Sequence, residues 1–242
     1  MPPSFVLVHG AWHDARAWDR LRPVLSARGC ESIAVDLPIE DVGIDASGYA
    51  RVIASAASAA FGPEPITVVG HSMSGIAIPL VPALAPVAAL VFLAALIPAP
   101  GCTMASVQAT EAVLGDTSAV ARDASGRSYW TSRAAAIDVL YHDCDSALAE
   151  IAAARLRPQA RAPHDEPCPL RAFPEVPASY IVMRDDRMIR PEWSRTAARA
   201  RLGVEPVELP GGHSPMLADP EGLADALITL TRADAREYVR SQ

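Results

Sequence analysis

Short runs of consecutive apolar residues recur along the chain, separated by stretches with helical periodicity. The runs fall near 4–8, 32–35, 65–69, 87–93, 178–183 and 204–209. Each is rich in β-branched or aliphatic residues and is bounded by turn formers, which predicts buried strands. Between them, apolar positions return every three or four residues. Trp18, Leu21 and Leu25 make one such face, with Pro23 expected to bend or split the helix. Ala50, Ile53, Ala54 and Ala57 make another. Asp219 as cap, Pro220 in the first turn and Leu223, Leu227 and Leu230 on one face predict the last helix. Strands alternating with helices imply an α/β fold: about six strands, mostly parallel, with helices on both faces. In such a sheet the reactive loops gather at the carboxyl ends of the strands.

The stretch 98–177 breaks the rhythm. It carries turn signals, charges and two predicted helices near 130–141 and 145–155, with no strong strand signal. From Arg157-Pro158 to Pro177 it is proline-rich and reads as an irregular return path. The expected organisation is one structural domain whose core is 1–97 and 178–242, with 98–177 inserted as a cap over the strand ends. Met104, Tyr129, Trp130, Tyr141 and Phe173 are the apolar and aromatic candidates for a pocket under that cap, and packing within the cap would serve each equally well.

Composition narrows the choices. Half of the 242 residues are hydrophobic, enough for a large core without disulfides. The four cysteines, Cys30, Cys102, Cys144 and Cys168, are scattered without a C-x-x-C spacing, as expected of reduced thiols in the cytoplasm. No signal peptide and no run of transmembrane length is apparent, so a cytoplasmic protein is expected. A net charge of −7 argues against nucleic acid or an anionic membrane as partner. All 21 basic residues are arginine, which excludes Schiff-base chemistry and a phosphate-binding loop lysine.

The chemistry is concentrated in one segment. The apolar run Ile66-Thr67-Val68-Val69 ends in Gly70-His71-Ser72-Met73-Ser74-Gly75. That is the form of a nucleophile elbow, a strand-to-helix turn that holds Ser72 out of the backbone. Its neighbours must be small because the serine is strained. Gly70 satisfies this, and Ser74 stands where a glycine is usual. Phe5-Val6-Leu7-Val8 runs into His9-Gly10-Ala11-Trp12, where Gly10 permits close backbone approach and His9 reads as a loop organiser. Late in the chain, Arg184-Asp185-Asp186-Arg187 and Pro210-Gly211-Gly212-His213 each put an ionisable group in a loop after a strand.

These segments resemble the α/β-hydrolase superfamily, and within it the branch of plant methyl-ester esterases, hydroxynitrile lyases and their bacterial relatives. Phe5 to Trp18, Val68 to Gly75, Ala89 to Pro98 and Gly212-His213-Ser214 carry the resemblance, which spans nearly the whole chain and is weakest over the cap. It implies Ser72 as nucleophile, His213 as base, Asp186 as the orienting acid, and the amides of Ala11 and Met73 as oxyanion donors. Asp186 is preferred to Asp185 by the distance to Pro191-Glu192-Trp193. Gly10, Trp12, Tyr129 and Trp130 are the candidate substrate contacts. The implied activity is hydrolysis of a small or medium carboxylic ester through an acyl-enzyme, with no metal or organic cofactor, in a monomer or homodimer. A triad-bearing biosynthetic enzyme acting on a polyketide-like intermediate and a ligand-sensing protein on the same fold are the rival expectations. Ser214 stands where the lyases have lysine and Gly10 where they have threonine, and both argue against cyanohydrin cleavage.

Overall fold

The run Phe5–Val8 is buried at all four positions and forms β1, which has a strand on each side. The computed structural model describes residues 2–240, with side chains described to residue 231. The strands β2 (Ser32–Val35), β3 (Ile66–His71) and β4 (Val87–Leu93) follow in the first half. A hairpin of β5 (Val120–Arg122) and β6 (Ser128–Trp130) lies in the middle, and β7 (Ala178–Met183) and β8 (Val207–Leu209) come late. Six of these form one sheet in the order β2-β1-β3-β4-β7-β8, and every neighbouring pair is parallel. In β1 and β3 every position is buried, so both faces of the sheet centre are covered.

The helices are α1 (Leu21–Ala27), α2 (Ala46–Phe61), α3 (Met104–Thr110), α4 (Arg133–Leu140), α5 (Ser146–Ala154), α6 (Ala162–Asp165), α7 (Pro191–Ala197), α8 (Pro215–Ala218) and α9 (Pro220–Arg240). Their apolar faces match the periodicity. Ala50, Ile53, Ala54 and Ala57 of α2 are buried, as are Leu223 and Leu227 of α9, which packs on α1. Asp219 caps α9 by accepting the Gly222 N–H at 3.0 Å. Trp18, Leu21 and Leu25 are fully buried, but the helix is broken before Pro23 rather than at it. A 3-10 turn, Ala15–Trp18, ends ahead of α1, and Pro23 then sits in the first turn of α1, where a missing N–H costs nothing.

The segment between β4 and β7 departs from expectation in three ways, one being the short α6 within the stretch expected to be irregular. It contains the β5–β6 hairpin, closed around Asp123, which accepts the N–H groups of Ser125 and Arg127 at 2.9 and 3.0 Å. Three-residue strands are too short to show a period. It also contains α3, whose cap Thr103 accepts the Ser106 N–H at 2.9 Å. The predicted helices near 130–141 and 145–155 are α4 and α5. Among the described residues no helix is long and apolar enough to cross a membrane.

Candidate active site

The turn after β3 has the strained geometry its residues predict. Ser72 has φ of 54°, a left-handed conformation that non-glycine residues rarely adopt. It begins the 3-10 turn Ser72–Ile76, so the Met73 amide is among the terminal N–H groups without an intrahelical acceptor. Crowding explains the small residues. A Cβ on Gly70 would lie 2.8 Å from the Ile78 side chain, and one on Gly75 would lie 2.1 Å from the Leu96 carbonyl. Ser74 is fully buried, and its hydroxyl is shared between the carbonyls of His71 at 2.8 Å and Val8 at 3.1 Å. It does more than stay small: it joins the ends of β1 and β3 beneath the turn.

The loop after β1 is held from both sides. The Leu37 N–H donates to His9 Nε2 at 2.9 Å, so the proton is on Nδ1, which donates to the Gly10 carbonyl at 2.8 Å. Asp36 also lies 3.3 Å from that Nε2, outside the ring's own donor. Because the peptide unit is planar, fixing the Gly10 carbonyl fixes the direction of the Ala11 N–H. A Cβ on Gly10 would lie 2.7 Å from Ser72 Cβ, so glycine is what lets this loop touch the turn. His13 Nδ1 donates to the Ala11 carbonyl at 2.6 Å, and Tyr141 donates its O–H to His13 Nε2 at 2.8 Å. Trp12 has φ of 64° and is secured by the inserted segment. Its carbonyl accepts the Arg157 N–H at 2.7 Å, and its indole N–H donates to the Ser128 carbonyl and hydroxyl at 3.2 and 3.1 Å.

Two further loops, after β7 and β8, bring an acid to a histidine. His213 Nδ1 donates to Asp186 Oδ2 at 2.9 Å, and both side chains are buried. Asp186 Oδ1 accepts the N–H groups of Met188 and Ile189 at 2.7 and 3.0 Å. The neighbouring Asp185 is exposed and serves the loop instead, accepting the Gly211 N–H at 3.0 Å. Asp143, between α4 and α5, accepts the Gly212 N–H at 2.6 Å. The His213 carbonyl accepts His71 Nε2–H at 2.8 Å, and the two rings lie 4.6 Å apart. Burial lowers the pKa of His13 to about 4 and that of His71 well below the usual imidazole value. Both neighbours are therefore neutral near pH 7. Of these three rings, among the described residues, His213 alone has a carboxylate on it.

Ser72 opens into a cavity of about 220 Å³ whose wall includes Ala11, Trp12 and Met73 from the sheet side, and Arg122, Ser128 and Gln159 from the insertion. Trp12 lines this cavity. Gly10 lies directly behind Ser72 rather than in the wall. Tyr129 does not line the cavity. Residues alternate along β6, and with Ser128 turned to the cavity Tyr129 is turned to solvent. Trp130 is also outside the wall and meets the cavity only through Trp12, edge to face at 5.5 Å. Met104 is a core residue, and Tyr141 is spent on His13. Sequence reasoning missed Gln108, Arg122, Gln159, Arg161 and His164 in the wall. Polar residues in an irregular segment read as surface, and nothing in their spacing marks them otherwise. Among the described residues no group of three or more His, Cys, Asp or Glu is arranged to hold a metal ion.

A parallel sheet with a strained serine turn after a central strand, and an acid and a histidine on later strand ends, defines the α/β hydrolases as a class. The chain belongs to that family: it matches the Alpha/beta hydrolase family over residues 5–226. A pyrethroid hydrolase of Sphingobium wenxiniae is 30% identical over 254 residues, covering 97% of this chain and 89% of that protein. Methylesterase 2 of Arabidopsis thaliana is 27% identical over 253 residues, covering 93% and 95% respectively. Among solved structures, polyneuridine aldehyde esterase superposes with a TM-score of 0.79 at 19% identity, over 96% of this chain and 100% of that one, a likeness of fold. These relatives are hydrolases and esterases.

Proposed function

We propose that the protein cleaves small or medium carboxylic esters through an acyl-enzyme on Ser72. The observation that carries this reading is the buried Asp186–His213 pair at 2.9 Å, with the other carboxylate oxygen fixed by two amides. In that arrangement His213 keeps its proton on Nδ1 and offers Nε2 as a base. His213 takes the proton of Ser72 as the hydroxyl oxygen attacks the ester carbonyl. The amides of Ala11 and Met73 receive the developing oxyanion, and each such donor is worth about 3 kcal/mol. Protonated His213 returns its proton to the departing alcohol. Water then attacks the acyl-enzyme with His213 as base and releases the acid. No organic cofactor enters this sequence. The insertion 98–177 acts as the cap that supplies the outer cavity wall.

Ser214 follows the base and is fully buried, which leaves no ammonium beside the histidine for cyanohydrin cleavage. The test pairs wild type with Ser72→Ala. Wild type should show burst release from an activated aryl acetate and gain one fluorophosphonate adduct by intact mass, and Ser72→Ala should show neither. A folded wild type that neither turns over nor labels would overturn the ester-hydrolase mechanism and favour a ligand-sensing or pathway-specific role.

A further inference from the structure

The cavity that opens on Ser72 has a charge balance opposite to that of the chain. The protein carries a net charge of −7, yet the titratable side chains in the cavity wall are Arg122, Arg161 and His164, all basic. Among the described residues no carboxylate is in that wall. All three belong to the insertion: Arg122 ends β5, and Arg161 and His164 lie at α6. The serine faces them from the sheet side of the same space.

The three side chains are not equivalent. Arg161 is neutralised by Asp165, to which its guanidinium donates two parallel hydrogen bonds. His164 is held to a pKa of about 4, first by burial and then by the nearby Arg161 charge, so it is neutral near pH 7. Arg122 makes only a long bond to the Gly126 carbonyl at 3.3 Å, and among the described residues no carboxylate lies within ion-pair distance of it. Partial desolvation and then the Arg161 charge weaken its hold on its proton, with Asp165 acting the other way. One exposed guanidinium at the rim of the cavity is therefore left without a paired carboxylate of its own, the nearby Asp165 being bonded to Arg161. A planar guanidinium is matched best by a carboxylate or another flat, bidentate anion.

We infer that the preferred esters carry a second, ionised acidic group, which Arg122 holds while the scissile carbonyl lies at Ser72. This rests on the ester-hydrolase reading of the same cavity. The anion can sit on the acyl or on the alcohol portion, and a half-ester of a dicarboxylic acid is the simplest member of the class. On a chain of net charge −7, a cationic rim draws such anions locally toward the serine.

The test compares matched substrates within each variant. Mono-4-nitrophenyl adipate is anionic on the acyl side, methyl 4-nitrophenyl adipate is its uncharged counterpart, and 3-carboxyphenyl acetate against phenyl acetate reports the alcohol side. Wild type should favour one anionic member by about tenfold in kcat/KM, with the preference falling as salt rises. Arg122→Gln should bring that ratio to about one, and Arg122→Lys should restore part of it. Because the ratio is taken within each variant, a general loss of activity cancels. If wild type hydrolyses the neutral esters and shows no anionic preference, or if Arg122→Gln keeps it, the inference falls and the ester-hydrolase reading stands. If no ester is turned over, calorimetric titration of monomethyl adipate decides. Binding to wild type that Arg122→Gln loses sustains the anion site, and no binding to wild type ends it.

Discussion

Replacing Asp186 with asparagine changes one oxygen to an amide nitrogen and almost nothing in shape. The surroundings dictate how the new amide must lie. Oδ1 accepts two backbone N–H groups, from Met188 and Ile189, and only an oxygen can stay there. The amide nitrogen is therefore forced toward His213 Nδ1, where the carboxylate now accepts at 2.9 Å. Two donors cannot face each other, so the imidazole must move its proton to Nε2. It then presents an N–H to the nucleophile instead of a lone pair. A triad with the wrong tautomer loses about 10⁴-fold in kcat, or about 5 kcal/mol of transition-state stabilisation. The fold should survive, because both amide bonds to Oδ1 remain. The assay is steady-state hydrolysis of an activated aryl acetate, with circular dichroism to establish folding and Asp185→Asn as the control. Asp185 bonds only loop backbone and should cost less than about tenfold. A folded Asp186→Asn enzyme within tenfold of wild type would refute the tautomer argument, and an Asp185→Asn enzyme as impaired as expected for Asp186 would reassign the acid.

Two further outcomes follow from the packing. Ser74→Gly should keep activity, since glycine suits the turn, yet lose about 1–2 kcal/mol in urea unfolding as the carbonyls of Val8 and His71 lose their shared donor. Loss of activity in the folded variant would show that the hydroxyl sets the turn itself. Acid should destabilise the fold well before the carboxylates titrate. His13 is held neutral with a pKa of about 4 against 6.5 when unfolded, so between those values the unfolded chain binds the extra proton. Stability is complete above about pH 6.5 and falls by about 3 kcal/mol as pH drops to 4, from this residue alone. Unfolding midpoints that stay flat from pH 7 to 4.5 would contradict it.

The parts of this molecule legible in the sequence are those with a local cause. Buried parallel strands must be continuously apolar, so β1, β3, β4 and β7 stand out, although β3 continues past Val69 to His71, while the exposed edge strand β8 begins only at Val207. The turn at Ser72 could be read because steric crowding admits few residue types around it. The chain order of the serine, acid and histidine could be read because each sits just beyond a strand. The insertion could not be read in the same way. The β5–β6 hairpin depends on a turn at Asp123 and on a distant bridge from Ser128 to Gln159. The outward turn of Tyr129 follows from that pairing register, which no local pattern reveals. Arg122 is a surface arginine in the structure too, and only its place on the cavity rim sets it apart. The role of His13, between Tyr141 and the Ala11 carbonyl, likewise depends on a contact across 128 residues.

The segment between β4 and β7 is tied to the loops of the proposed site at Tyr141, through His13, and at Asp143, through the Gly212 N–H. It cannot therefore be treated as a detachable module. Segments that only shape the cavity, such as the hairpin strand carrying Arg122, are open to exchange when a different substrate is wanted. Residues 141–143 belong, in effect, to the engine rather than the hood. A library that swaps the whole insertion would lose the register of the proposed base along with the old specificity, whereas one that spares those three positions can explore new acyl and alcohol groups with the His213 loop still anchored.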